Sequence, residues 1–192
     1  RDLHYPLRRQ RQMCIRDRLL MNNYSEKFEK MRVAGKLAAN TLDMITEYIK
    51  PGISTEKIDI LCFEYIRDNG GYSAPLFYRG YTKSVCTSLN HVICHGIPSD
   101  RTLVEGDILN IDITAVVNDF YGDTSRMYVV PDISVKAKNL IDTTYESLIN
   151  SIKILKPKLQ CLFYGRIALL CIKHYRSCNK NRGISPYNHP NN

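Results

Sequence analysis

The hydrophobic period of this chain leaves the helical step after residue 71 and returns to it only after Ser134, and that interruption sets its fold class. From Ser25 onward Phe28, Met31, Ala34, Ala38, Leu42, Ile45 and Ile49 recur at three- and four-residue steps until Pro51-Gly52, a spacing that lays one apolar stripe along a helix. Ser54 is placed to cap a second helix, with Glu56 in its first turn, Ile58, Leu61, Cys62, Tyr65 and Ile66 as its stripe, and Asn69-Gly70-Gly71 as its stop. The helical step then gives way to β-branched runs, with Val85, Val92, Ile93 and Ile97 in residues 84–97 and Ile-Leu-Asn-Ile-Asp-Ile-Thr-Ala-Val in residues 108–116. Val117-Asn118-Asp119 offers a turn and Phe120 to Val130 a return strand, which predicts an antiparallel hairpin. Ser134 caps a third helix whose Leu140, Thr144, Leu148, Ile152 and Leu155 keep the helical step up to Pro157. Helix, helix, strands, helix is the order of an α+β unit, an antiparallel sheet covered by helices on one face, and not of an alternating βαβ fold.

Composition places this unit in one ordinary globular domain of a 192-residue chain, at 44% hydrophobic and 24% charged residues. The longest apolar stretch, Leu159 to Ile172, is broken by Gly165 and Arg166 and falls short of the roughly 18 residues a membrane helix needs, so no membrane partner is expected. The net charge of +8 sits at the ends: residues 1–18 hold six basic and two acidic residues, residues 157–192 six basic and none acidic, and residues 19–156 fifteen basic against seventeen acidic. A mildly acidic body does not support a DNA-binding groove. Residues 1–20 read as an appended basic segment, flexible or non-native, because they show no period and stop at Met21-Asn22-Asn23. Seven cysteines at irregular spacing make no disulfide framework and fit a reducing compartment; with no apolar run of signal-peptide type, the expected location is the cytoplasm. Cys161, Cys171, His174 and Cys178 lack the paired short spacing of a zinc knuckle. Residues 159–192 read as a diverged basic tail, mostly unstructured, since residues 176–192 hold Ile184 as their one large aliphatic, two prolines and five asparagines.

Aspartate is depleted in strand interiors, yet Asp112 is flanked by isoleucines and Asp123 follows a glycine on the return strand. If the turn centres on Val117 and Asn118, the two aspartates lie directly opposite on one face, with β-carbons about 5 Å apart. Such carboxylates must share a proton, meet a cation or face water; hard oxygens at that spacing suit divalent metals, and a solvated hairpin is the other reading. In Cys94-His95-Gly96-Ile97-Pro98 the glycine lets a ligand or another backbone approach His95 closely; His95 is either a structural residue or a hydrogen-bond donor or acid beside a metal. Tyr78, Tyr81 and Cys86, in a loop entering the sheet, either wall an apolar pocket or pack on the core.

Six segments, Lys30-Met-Arg-Val-Ala-Gly-Lys-Leu-Ala-Ala39, Lys50-Pro-Gly-Ile-Ser-Thr55, Lys83-Ser-Val-Cys-Thr-Ser88, Cys94-His-Gly-Ile-Pro98, Glu105-Gly-Asp-Ile-Leu-Asn-Ile-Asp112 and Tyr121-Gly-Asp-Thr-Ser125, resemble in order and interval the first half of the type I methionine aminopeptidases. The resemblance covers about residues 26–158, making residues 21–158 the first half of a catalytic domain. It implies a partial pita-bread fold of the creatinase and aminopeptidase kind, and metal-dependent hydrolytic removal of the initiator methionine from nascent polypeptides that begin with Met. It also implies two divalent ions (Co, Mn, Fe or Zn), with Asp112 and Asp123 matching the first two ligands. His95 matches a histidine that contacts substrate near the scissile amide, and Tyr78, Tyr81 and Cys86 fall where the methionine side-chain pocket is lined. The departures concern the later ligands: the family's Gly-His-Gly motif does not appear after Lys158, and no glutamate follows Glu146. The tail is expected to be a truncation in a changed reading frame. With two of five ligands the chain is expected to bind at most one ion, weakly, and to be inactive as it stands. The alternative is a non-catalytic binding protein of pita-bread type, associated with the ribosome through its basic ends.

Overall fold

The computed structural model describes residues 4–154, with side chains over residues 24–153; the diverged tail expected at 159–192 lies outside the described residues. The chain divides into two compact units at Val130 and Pro131. In the first, helix α1 (His4–Ile45) runs into a 3₁₀ turn at Thr46–Tyr48, and α2 (Thr55–Asp68) follows. The backbone of α1 starts well before Ser25, where the apolar stripe begins, because a helical stretch without an apolar face leaves no period to read. Ala34, Leu37, Ala38, Leu42 and Ile45 are buried, whereas Phe28 and Met31, expected on the same stripe, are about half exposed. For α2 the local signals hold: Ser54 Oγ accepts from the Lys57 amide at 3.1 Å, and Gly70 takes positive φ just beyond the helix.

The sheet has β3 (Ile108–Val117) at its centre, β4 (Phe120–Val129) along one edge, and β2 (Cys86–Leu89) and β1 (Tyr72–Ser73) end to end along the other, all antiparallel. Of the run expected at 84–97 only Cys86–Leu89 forms a strand. Asn90, at φ 53°, ends it by accepting from the Ile108 amide through Oδ1 at 3.0 Å and donating to Asp107 through its amide nitrogen at 2.8 Å. Ile93 is consequently 95% exposed.

Alternation along β3 divides its two faces. Leu109, Ile111, Ile113 and Ala115 are buried in one core with Leu37, Ala38 and Leu42 of α1 and Ile58, Cys62 and Ile66 of α2. Asn110, Asp112 and Thr114 point to the opposite, partly open face. The helices thus cover one side of the sheet and leave the other for chemistry.

The second unit contains α3 (Val135–Ile154), capped by Ser134 Oγ accepting from the Ala137 amide at 3.1 Å. Its buried side chains are Thr143, Ser147 and Ser151, while Leu140, Leu148 and Ile152 of the expected stripe are exposed. No helix among the described residues is long and apolar enough to cross a membrane.

Candidate active site

The hairpin between β3 and β4 turns on Asn118 and Asp119, both at positive φ (49° and 65°), with Val117 pairing Phe120. This differs by one residue from the turn expected at Val117 and Asn118. A two-residue hairpin turn of this kind needs positive φ at both central positions, which asparagine and aspartate tolerate and β-branched valine does not. In the resulting register Asp112 faces Ser125 and Asp123 faces Thr114. The aspartates are therefore diagonal neighbours rather than directly opposite, still on one face. Diagonal positions remain within side-chain reach: burial first, and then the charge of Asp123 with a hydrogen bond from it, raise the Asp112 carboxyl above its ordinary value, against the opposing pull of His95. Thr114 Oγ1 donates to Asp123 Oδ1 at 3.3 Å. Next to Asp123, Gly122 lets the backbone of α1 approach β4 closely, since a β-carbon there would run into the backbone of Ala34 and Gly35.

On the other side of β3, Cys86 pairs directly with Asp112. The Tyr81 hydroxyl donates to the Val85 carbonyl at 2.9 Å and lies 3.5 Å from both Cys86 Sγ and the Gly96 carbonyl oxygen. Burial raises the Tyr81 phenol and the Cys86 thiol above their usual ranges, so both stay neutral near pH 7 and suit an apolar wall. Gly96 is fixed against β2: its carbonyl accepts from the Thr87 amide at 2.8 Å, and its amide donates to Ser88 Oγ at 3.1 Å. A β-carbon at Gly96 would strike Thr87 and Ser88 backbone atoms. The glycine therefore admits another backbone, that of β2, and holds the exposed His95 at φ 54° beside the sheet.

These groups line one cleft of about 730 Å³ that contains Tyr78, Tyr81, Cys86, His95, Asp112 and Asp123, all six of the residues picked from the sequence. It also contains Arg79, which belongs to the same loop cluster as Tyr78 and Tyr81, and Thr114 and Tyr121, which the sequence did not single out; Thr114 and Tyr121 could have been found from strand alternation, since they share the face of Asp112 and Asp123. Asp59 was missed as well. It is buried on α2, and its Oδ1 accepts from the Ser84 amide (2.7 Å), the Ser84 hydroxyl (2.6 Å) and the Val85 amide (3.0 Å). Its signal was an acidic residue on the face shared by Thr55, Cys62 and Ile66.

Among the described residues no group of three or more His, Cys, Asp or Glu is arranged to hold a metal ion. The pair Asp112 and Asp123 does suit a divalent cation: two hard carboxylates share a face, and the charge of one opposes ionisation of the other, which a cation would relieve.

The model of metallopeptidase family M24 matches residues 29–189, past Lys158, where the motif-by-motif likeness fades. A methionine aminopeptidase of Rickettsia prowazekii (strain Madrid E) is 51% identical over 130 residues, covering 68% of this chain and 50% of that protein. One from Salmonella typhimurium is 49% identical over 143 residues, 73% of this chain and 54% of that protein. The chain thus spans about half the length of these curated relatives. The crystal structure of methionine aminopeptidase from Rickettsia prowazekii superposes with a TM-score of 0.77 at 44% identity, over 81% of this chain and 61% of that one. The α+β architecture described above is accordingly a partial pita-bread fold. With the family match extending over most of its length and the cleft residues in place, the chain belongs to metallopeptidase family M24.

Proposed function

We propose that this chain supplies the first-half residues of a methionine aminopeptidase, which hydrolyses the peptide bond after the initiator methionine of nascent cytoplasmic polypeptides. The observation that carries this reading is the convergence of Asp112, Asp123, His95, Tyr78, Tyr81 and Cys86 on one cleft, together with relatives about 50% identical that are named for this activity. Asp112 and Asp123 are the residues to hold a divalent ion, which when bound supplies Lewis-acid polarisation and a water of lowered pKa. Tyr78, Tyr81 and Cys86 form the wall for the methionine side chain, an apolar surface with weakly polar tips. His95 stands at the rim as a hydrogen-bond donor to the substrate amide. A carboxylate engaged with a metal is a poor general base, so this chain by itself is expected not to turn over.

The test transplants residues 26–158 into the Rickettsia prowazekii enzyme and follows methionine release from Met-Ala-Ser with added Mn. Release that is lost in Asp112→Asn and Asp123→Asn chimeras supports the assignment; a folded chimera without release refutes it. The chain alone should show no release, and turnover within about a hundredfold of a full-length enzyme would overturn that expectation. In calorimetric titration with Mn the chain should bind a single ion weakly, and Asp123→Asn should abolish the binding, because a neutral amide cannot replace a charged oxygen donor. Equal affinities would mark the pair as solvated surface aspartates.

A further inference from the structure

Asp59 is a buried carboxylate, 7% exposed, that takes no part in the proposed chemistry. Its Oδ1 gathers three donors, the Ser84 amide, the Ser84 hydroxyl and the Val85 amide, and the Ser84 hydroxyl also lies 3.1 Å from the Asp59 carbonyl oxygen. One turn earlier on α2, Glu56 meets Lys83 Nζ at 2.6 Å. Residues 83–85 are therefore tied to α2 immediately before β2 begins at Cys86. The Val85 carbonyl in turn accepts from the Tyr81 hydroxyl, and Cys86 pairs with Asp112. An unbroken series of contacts runs from Asp59 through the Ser84–Val85 peptide to two residues of the pocket wall and to the strand position opposite a metal-site carboxylate.

We propose that Asp59 is a positioning residue of the cleft: its buried carboxylate fixes the Ser84–Val85 peptide and so holds Tyr81 and Cys86 in place beside Asp112. A buried acceptor with three short hydrogen bonds is costly to remove, because the Ser84 and Val85 amides lose their acceptor while the Ser84 hydroxyl keeps the Asp59 carbonyl oxygen. The loss falls locally on the entry to β2, since Ile58, Cys62 and Ile66 still anchor α2 in the core. The inference rests on reading this cleft as the methionine pocket, but its test uses neither metal nor substrate, so a chimera that releases no methionine would leave the result below standing.

The experiment alkylates the complete 192-residue chain with iodoacetamide at pH 8 and follows Cys62, Cys86 and Cys94 separately by peptide mass spectrometry. Cys94 is exposed, Cys86 is buried at the cleft wall, and Cys62, on the same helix as Asp59, is a core thiol that burial pushes up to about 12. Asp59→Ala should raise the Cys86 rate on the order of tenfold and leave Cys62 protected. Asp59→Asn retains an oxygen at the acceptor position and should return Cys86 to within about threefold of wild type, while Ser84→Ala, which deletes one donor, should give a rise of about threefold. A merely structural role would instead loosen the core and release Cys62 and Cys86 together, which overturns the proposal. So does a Cys86 rate in Asp59→Ala within about twofold of wild type. Should Asp59→Ala fail to fold, Ser84→Ala decides, an unchanged Cys86 rate overturning the proposal.

Discussion

Gly122→Ala tests how the candidate site is seated on the helix layer. Gly122 lies in β4 opposite Ala115, one residue before Asp123, and a β-carbon there would overlap the carbonyl group of Ala34 and the amide nitrogen of Gly35 in α1. These are backbone atoms, so no side chain can rotate away. Restoring ordinary carbon contacts of about 3.5–4.0 Å requires α1 or β4 to move by about 1 Å or more. Overpacking of a tight core costs about 1–3 kcal/mol, and rigid neighbours place this case near the upper end. Restricting the unfolded chain returns about 0.4–1 kcal/mol, leaving a net loss of about 2 kcal/mol. For a chain of this size that lowers Tm by about 4–8 °C. Thermal unfolding followed by circular dichroism measures it, with Gly35→Ala as control: a β-carbon at Gly35 meets nothing within 4 Å, and replacing a helix-interior glycine should stabilise by about 0.5–1 kcal/mol. If Gly122→Ala melts at or above the wild-type temperature, the close approach of α1 to β4 is wrong.

Two further predictions concern the hairpin. Burial and the neighbouring Asp123 raise the Asp112 carboxyl, so in metal-free buffer its ionisation opposes folding. That penalty is absent below the unfolded carboxylate value, grows as pH rises through the window up to the folded value, and is constant above it. Asp112→Asn with EDTA present should therefore be more stable than wild type at pH 7 and show no such gain near pH 3; urea midpoints at the two pH values check this, and lower stability at pH 7 refutes it. Asp119 sits at φ 65° in the two-residue turn, and Asp119→Gly, which creates the favoured Asn-Gly pair, should stabilise the hairpin by about 0.5–1 kcal/mol, read as a higher Tm; a lower Tm would mean the aspartate side chain supports the turn.

What the sequence settled by itself lies within a few residues along the chain. The Ser54 and Ser134 caps and the Gly70 stop are decided by local hydrogen bonds and φ preferences, and with a two-residue turn at either 117–118 or 118–119 strand alternation puts Asp112 and Asp123 on one face. Sterics at Val117 also fix the turn, a rule present in the residues themselves, and place it at Asn118 and Asp119. The tertiary structure decided the rest. β-branched Val92 and Ile93 form no strand, because strand formation needs a partner edge and Asn90 turns the chain away from β3. The apolar stripe expected on α1 is only partly buried and the described members of the one expected on α3 are exposed, since burial depends on what crosses a helix and not on its period alone. Asp59 acts on residues 25 and 26 positions away, and Gly122 is required by a helix far earlier in the chain; these are contacts between segments that no local pattern encodes. Side-chain chemistry along the chain thus named the groups of the site, and the packing of α1 and α2 beneath the sheet decided how they are held.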